Sequence, residues 1–155
     1  MSLESALEQV KPQIGTETFV GEWLEITQDR INKFADVTED RQWIHVDVER
    51  AKAMSPFGGT VAHGFLTLSL TPYLTDTITP DKAPFPDLKM AVNYGMNKVR
   101  FPAPVKPGDR IRVRSTLQNA EEVKGSLQTI SLLTVEIEGQ EKPSCVAEMV
   151  ARFYF

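Results

Sequence analysis

The stretch TEDRQWIHVDVERA, from Thr38 to Ala51, contains the side-chain types that perform acid–base chemistry near neutral pH. Asp40 and His45 lie five positions apart, whereas residues on one helical face are three or four apart. A connecting loop can still bring them together. A carboxylate and a neutral imidazole that share one water can deprotonate it, because the pKa of histidine lies near neutral pH. The spacing alone favours the alternative, in which Asp40 is a cap or turn residue and His45 packs with a hydrogen bond to the backbone.

Asp47 is a second acidic candidate, because it lies two residues after His45. In an extended segment the two side chains would point to the same side. The residue also fits the N-terminal cap of a helix from Val48 to Met54, since an aspartate side chain accepts hydrogen bonds from the first turn. Both interpretations stay open.

The second histidine, His63, directly precedes Gly64 near the predicted start of a helix. A helix N-terminus presents unpaired N–H groups and a partial positive charge, and a glycine lets a ligand oxygen approach the backbone. This is the outline of an oxyanion site. The alternative is that Gly64 relieves crowding where the helix enters the core and that His63 caps or packs.

Three helical segments position these candidates. Thr27 is predicted to cap a helix that carries apolar residues at spacings of three and four and ends near Thr38. A helix from Val61 to Leu74, capped by Thr60, is apolar throughout and is predicted to be buried on all sides, with Pro72 bending or ending it. A short N-terminal helix is predicted from Ser2 to Val10, and a strand with a glycine interruption from Thr18 to Ile26.

The second half of the chain has the pattern of strands separated by turns. In the second of these strands, arginines alternate with apolar residues, the period of a sheet with one solvated face. We expect the α+β class: an antiparallel sheet wrapped around a central buried helix, in a single domain of residues 1–155. The four predicted strands are Lys89 to Phe101, Asp109 to Glu121, Ser126 to Glu138 and Pro143 to Phe155.

Composition narrows the functional classes. A formal charge of −4 gives no broad attraction to nucleic acid or anionic membranes, so neither is an expected partner. Cys145 is the only cysteine, which excludes an intrachain disulfide and a cysteine-based zinc site. No apolar run has transmembrane length, and the N-terminus lacks the pattern of a signal peptide. We expect a cytoplasmic protein.

The segments FADVTEDRQWIHVDVERA and FGGTVAHGFLTLSL resemble the MaoC-like hydratases, the (R)-specific enoyl-CoA hydratases of the hot-dog fold. The likeness covers most of the chain. The later segment NYGMNKVRFPAPV, from Asn93 to Val105, is particularly similar to the NodN-like branch. The resemblance implies hydration of a trans-2-enoyl thioester to an (R)-3-hydroxyacyl product, with coenzyme A or acyl carrier protein as the handle. It implies no metal or redox cofactor, and it implies a homodimer.

The resemblance also assigns residue roles. It implies that Asp40 and His45 are the catalytic acid–base pair and that the backbone N–H of Gly64 is the oxyanion donor. His63 is placed beside the substrate. The family pattern Gly-Asp-x-Asn-Pro before the histidine is here Glu39 to Trp43, so that Gln42 and Trp43 replace the asparagine and proline. These departures put pocket shape and substrate choice in doubt more than the reaction.

Cations for the phosphates of coenzyme A are expected on the predicted strands. Lys98 and Arg100 are the preferred substrate-binding candidates, and a second ladder of Arg110, Arg112 and Arg114 is the alternative. For each single residue the sequence favours a solvated strand face that discourages edge pairing. Two further functional classes stay open: a hot-dog thioesterase, which would release free thiol, and an acyl-thioester binding module, which would need the pocket without the dyad.

Overall fold

The computed structural model describes residues 1–77 and 84–155. Its first half is mainly helical, and its second half consists of long strands, as the sequence predicts. The helices are α1 (Leu3–Val10), α2 (Gln28–Thr38), α3 (Trp43–Val46), α4 (Val48–Met54), α5 (Gly64–Ser69) and α6 (Thr71–Leu74), with a 3-10 turn at Lys11–Gln13.

One antiparallel sheet contains the six described strands, in the order β1-β4-β5-β6-β3, with β2 also paired to β4. The four long strands match the predicted segments within two residues at each end, because alternating apolar residues and turn glycines mark their limits. The strands are β1 (Glu17–Val20), β2 (Leu24–Glu25), β3 (Met90–Arg100), β4 (Arg110–Val123), β5 (Ser126–Ile137) and β6 (Cys145–Tyr154).

The concave face of the sheet packs against α5 and α6. Along β4 the residues Ile111 and Val113 are fully buried, whereas Arg112 and Arg114 are partly exposed on the opposite face. Leu66 and Leu74 of the helical segment join the same apolar cluster as these strand residues. Helix α5 packs against β6, and α6 packs against β4. The helical segment therefore crosses the sheet from β6 towards β4.

The helical segment differs from its prediction at its start and on one face. Residues 61–63 have no regular secondary structure, and the helix begins at Gly64. The Thr60 hydroxyl donates to Gln28 Oε1 at 2.5 Å and does not cap the helix. Phe65 and Tyr73 are 66% and 57% exposed in this single chain. The predictions of a Thr60 cap and of burial on all sides are therefore wrong for the described chain, although one face of the helix is in the core.

The predicted caps of the two helices that flank His45 are confirmed. Thr27 Oγ1 accepts a hydrogen bond from the Arg30 N–H at 3.2 Å at the start of α2. Asp47 Oδ1 accepts one from the Arg50 N–H at 3.0 Å at the start of α4. Asp47 is thus engaged as a cap, one of its two interpretations. Among the described residues, no helix combines the length and the apolar character that crossing a bilayer requires.

Candidate active site

Asp40 lies in the short connection between α2 and α3. Helix α2 ends at Thr38, and Glu39 has φ of 64°, the left-handed region that favours glycine. Glu39 therefore keeps the backbone conformation that a glycine would allow, and its carboxylate pairs with Arg41. This turn leaves the Asp40 carboxylate half exposed, with 52% of its side chain accessible. A carboxylate in this position can contact both solvent and the histidines beneath it.

His45 lies on α3, and not in a loop as the sequence predicts. Its ring is buried and its Nδ1 lies 2.7 Å from the carbonyl oxygen of Val61. A carbonyl only accepts, so Nδ1 carries the proton and Nε2 carries the lone pair. Nε2 has no hydrogen-bond partner among the described residues. His45 is therefore fixed in the tautomer in which Nε2 can act as a base.

His63 stacks on His45, with ring centroids 3.8 Å apart and an interplanar angle of 23°. Its Nε2 lies 2.9 Å from the backbone oxygen of Asp40 and 4.0 Å from Asp40 Oδ2. Phe34 packs on the same ring at a centroid distance of 5.0 Å. His63 therefore donates to the Asp40 backbone and connects the turn to the helix start. Asp40, His45 and His63 form the histidine cluster.

Gln28 supports the cluster from α2. Its Nε2 donates to the His45 carbonyl at 2.7 Å, and its Oε1 accepts from the Thr60 hydroxyl at 2.5 Å. The Gln28 side-chain amide therefore links α3 to the segment that precedes α5. The sequence analysis missed this residue, because a glutamine in the first turn of a helix carries no signal of a contact 32 positions away.

Gly64 is the first residue of α5 and directly follows His63. A Cβ on Gly64 would lie 2.7 Å from the Phe101 ring, closer than real Cβ contacts, so this position excludes any side chain. As the first helical residue, Gly64 has no intrahelical acceptor for its N–H. Because Gly64 directly follows His63, this N–H belongs to the residue next to the cluster in the chain.

The environment of His45 keeps its imidazole neutral at physiological pH. Burial lowers the pKa of His45 below its usual value of 6.5. The bond to Val61 and the Asp40 carboxylate oppose this change, while His63 adds to it, and the net shift is downward. A neutral imidazole beside a carboxylate is the protonation state that general-base chemistry needs.

The same three side chains are the types that bind metals, and one potential ligand atom from each lies within 4.8 Å of the others. The two imidazole planes are nearly parallel and 3.8 Å apart. Lone pairs of imidazole lie in the ring plane, so two stacked rings do not direct them at one ion. The arrangement favours proton transfer, and the predicted absence of a metal or redox cofactor stays a prediction.

The other two candidates near the cluster have different surroundings. Gln42 is exposed at the start of α3 and makes no capping bond. Trp43 is partly buried, and the Arg50 guanidinium lies 4.5 Å from its ring centroid. Their roles in substrate binding stay predictions, as does that of His63, which is only 2% exposed.

The structure does not bring Lys98 and Arg100 to the histidine cluster. Lys98 pairs with Glu148 at 3.4 Å, whereas Ala147 and Met149 on either side of Glu148 contribute to the core on the concave face. Lys98 therefore lies on the convex face, and Arg100, two residues on, shares that face. The three arginines proposed as the alternative all form ion pairs. Arg110 pairs with Glu138, Arg112 pairs with Glu136, and Arg114 pairs with both Glu136 and Glu17.

Comparison with known proteins identifies the family. The MaoC-like domain matches residues 9–138. The chain belongs to the MaoC-like family. Within it, 3-hydroxyacyl-thioester dehydratase Z of Mycobacterium tuberculosis is 49% identical over 140 residues, 90% of this chain and 89% of that protein. Nodulation protein N of Rhizobium meliloti is 42% identical over 149 residues, 96% and 91% of the two chains.

The fold of this MaoC-like protein is also found in solved structures. The (R)-hydratase from A. caviae involved in PHA biosynthesis aligns with a TM-score of 0.67 at 21% identity, covering 86% of this chain and 95% of that chain. This likeness confirms the predicted hot-dog architecture of an antiparallel sheet around a central helix. The resemblance to MaoC-like and NodN-like proteins is confirmed by the closer relatives.

Proposed function

We propose that this MaoC-like protein is a hydro-lyase that interconverts 3-hydroxyacyl and trans-2-enoyl thioesters, an (R)-specific enoyl-CoA hydratase in the direction of water addition. The relative that shares 49% of its residues is named as a 3-hydroxyacyl-thioester dehydratase. The observation that carries the assignment to this site is the state of His45. Its Nδ1 donates to the Val61 carbonyl, and its Nε2 has no partner among the described residues. A ring nitrogen of His45 lies within 4.8 Å of an Asp40 carboxylate oxygen.

The Asp40 carboxylate and His45 Nε2 hold one water molecule between them. As the water oxygen bonds to C3 of the enoyl group, His45 takes its proton, and the electrons of the C2=C3 double bond move to the thioester oxygen. The proton is then delivered to C2, which restores the thioester carbonyl. Elimination from the 3-hydroxy compound is the same sequence in reverse. General acid–base catalysis of this kind contributes about 10²–10⁴-fold in rate.

The Gly64 N–H stabilises the negative charge on the thioester oxygen. Charge develops there only as water attacks, so a donor fixed in advance favours the transition state over the bound substrate. The Phe101 ring packs against this end of the helix, because it occupies the space that a Cβ on Gly64 would take. Removal of one donor of this type costs about 10²–10³-fold in kcat.

The thioester handle and the oligomer are further parts of the proposal. The handle is coenzyme A or acyl carrier protein, and Lys98 and Arg100 are its candidate phosphate contacts. Strand β3 is the last strand of the described sheet and pairs only with β6 there. It carries the exposed apolar side chains Met90 and Tyr94, which supports a homodimer formed along this edge. A cytoplasmic location stays a prediction.

The test is to mix the protein with crotonyl-CoA and follow the loss of conjugated enoyl absorbance, with a free-thiol reagent in a parallel reaction. We expect loss of conjugation without thiol release, and a 3-hydroxybutyryl product of (R) configuration on chiral analysis. Sedimentation of the same preparation measures the oligomer.

Each alternative gives a different result in this assay. Thiol release at a rate equal to or above the loss of conjugation would assign the protein to the thioesterases. Tight binding of enoyl thioesters of several chain lengths without any chemical change would indicate a binding module. Either result would contradict the proposed function.

A further inference from the structure

A cavity of about 450 Å³ lies between the concave face of the sheet and the end of α6, a volume within the range of small-molecule sites. It is separate from the histidine cluster, none of whose residues line it. Pro72 and Thr75 form its wall on the helix side. On the sheet side, the inward-facing residues of β4, β5 and β6 line it, among them Ser115, Thr129, Ser131 and Met149.

Three of these sheet residues carry hydroxyls where the fold calls for apolar side chains. Thr129 and Ser131 lie between Leu127 and Leu133 on the inward face of β5, and both leucines are buried in apolar clusters. The two clusters are thus separated by a hydroxyl-bearing section of the sheet, in which Ser115 on β4 also takes part. A leucine or valine at these positions would fill the space and join the two clusters.

These hydroxyls have no partner within the described chain. Ser115 is 6% and Thr129 8% exposed, and neither hydroxyl, nor that of Ser131, makes a hydrogen bond to a described residue. In contrast, Thr75 Oγ1 on the helix side of the cavity donates to the Thr71 carbonyl at 2.8 Å. Their oxygen atoms are open to the cavity, since His63 Nδ1 is the one fully buried side-chain polar atom without a partner among the described residues. A hydroxyl that faces a cavity without a protein partner can bond to a ligand oxygen.

The helical segment connects this cavity to the histidine cluster. It begins at Gly64 and reaches the cavity at Pro72, eight residues later, which at 1.5 Å per residue is roughly 12 Å. An extended chain of single bonds covers about 1.2 Å per bond. About ten bonds therefore separate a thioester oxygen at Gly64 from a group at the cavity wall.

We propose that this cavity receives the distal part of the acyl chain and that Ser115, Thr129 and Ser131 select chains that carry an oxygen function, a hydroxyl or carbonyl, over purely aliphatic chains of equal length. This inference rests on the proposed function, since it names the substrate class of the same reaction. The hydroxyls donate to or accept from the distal oxygen, and the small side chains around them leave room for it.

The test compares trans-2-enoyl-CoA esters of about 12 carbons or more, with and without a terminal hydroxyl, and uses crotonyl-CoA rates to normalise each protein. The variant combines Thr129→Val and Ser131→Ala, and the matched control is Thr134→Val, a threonine on the opposite face of the same strand. We expect the parent and the control to prefer the oxygenated ester. The double variant loses this preference by about 3- to 10-fold for each hydrogen bond removed.

Calorimetric binding of the corresponding free acids, with and without the terminal hydroxyl, separates the cavity from the chemistry. If the parent hydrates no enoyl ester, the proposed hydratase function is wrong. In that case, tighter binding of the hydroxy acid by the parent than by the double variant would still support the proposed role of the cavity. Equal kcat/KM for the two long esters in parent and double variant, with equal or no binding of the two acids, overturns the inference. That result would mean that the cavity holds water only.

Discussion

Two polar clusters, one on the convex face of the sheet and one among the helices, differ in how many of their polar groups have a partner. On the convex face, Arg114 pairs with Glu136 at 2.8 Å and with Glu17 at 2.9 Å, and Arg112 pairs with Glu136 at 2.7 Å. These four residues form the Arg–Glu ladder. Each charge in it has a partner of opposite sign.

The histidine cluster has the opposite character. His45 Nε2 has no partner among the described residues, and His63 Nδ1 is buried without one. Burying such groups is unfavourable for stability and prepares them for a substrate or water. The contrast shows that charge density does not distinguish the candidate active site from the rest of the structure. What marks it is polar groups that are held in place and left with unfilled hydrogen-bonding capacity.

The largest effect is expected at the helix start. Gly64→Ala forces a Cβ to within 2.7 Å of the Phe101 ring, so that the ring or the helix must shift. We expect kcat for crotonyl-CoA hydration to fall about 10²–10³-fold, the loss typical of a displaced oxyanion donor. The double variant Gly64→Ala with Phe101→Ala should recover part of this loss. If Gly64→Ala alone keeps the parent rate, the helix start has no role in catalysis.

The pH dependence of kcat/KM sharpens the role of His45. Because burial lowers the pKa of His45 below 6.5, the neutral base persists below that pH and is lost as the pH falls through the lowered pKa. We expect kcat/KM to be level around neutral pH and then to fall about tenfold per pH unit on the acidic side, with a midpoint below 6.5. A midpoint above this value would contradict the account of His45.

A substitution of His63 tests whether this residue positions the Asp40 turn or binds substrate. His63→Phe keeps a ring between His45 and Phe34 but removes the hydrogen bond to the Asp40 backbone. We expect kcat to fall about tenfold with little change in KM, the result of a misplaced catalytic group. A raised KM with unchanged kcat would instead favour the sequence prediction that His63 binds substrate.

Removing a charge from the Arg–Glu ladder should lower the stability of the fold and leave the hydration activity nearly unchanged. Burial alone would raise the pKa of Glu136, but hydrogen bonds from Arg112 and Arg114 lower it on balance. The Glu136 carboxylate therefore stabilises the fold above its unfolded pKa near 4.5. This stabilisation is lost as the pH falls through the lower pKa of the folded state.

We expect Glu136→Gln to lower the Tm at pH 7 and to match the parent in strong acid, as measured by thermal denaturation. Its kcat/KM for crotonyl-CoA should stay within about twofold of the parent, since Glu136 pairs with Arg112 and Arg114 and with no residue of the histidine cluster. A large loss of activity would show that the convex face takes part in catalysis and would remove the contrast between the two clusters.

The sequence predicts the sheet better than it predicts the site. Alternation along β4 and the glycine turns limit the strands because each acts locally. The predicted helix start is wrong because the Thr60 hydroxyl donates to Gln28 and does not cap the helix. The stacking of His45 on His63 depends on contacts across 18 positions, which no local pattern encodes. The resemblance to a family, and not spacing, indicated the pair.

The most direct test of the central claim measures kcat/KM for crotonyl-CoA hydration in Asp40→Asn and His45→Gln, with Asp29→Asn as the matched control. Asp29 is an exposed carboxylate that pairs with Lys33 on α2. We expect both cluster variants to lose at least about 10²-fold while the control keeps the parent rate and all three fold, as judged by circular dichroism. Rates within a few-fold of the parent in folded Asp40→Asn or His45→Gln would contradict hydration by this pair.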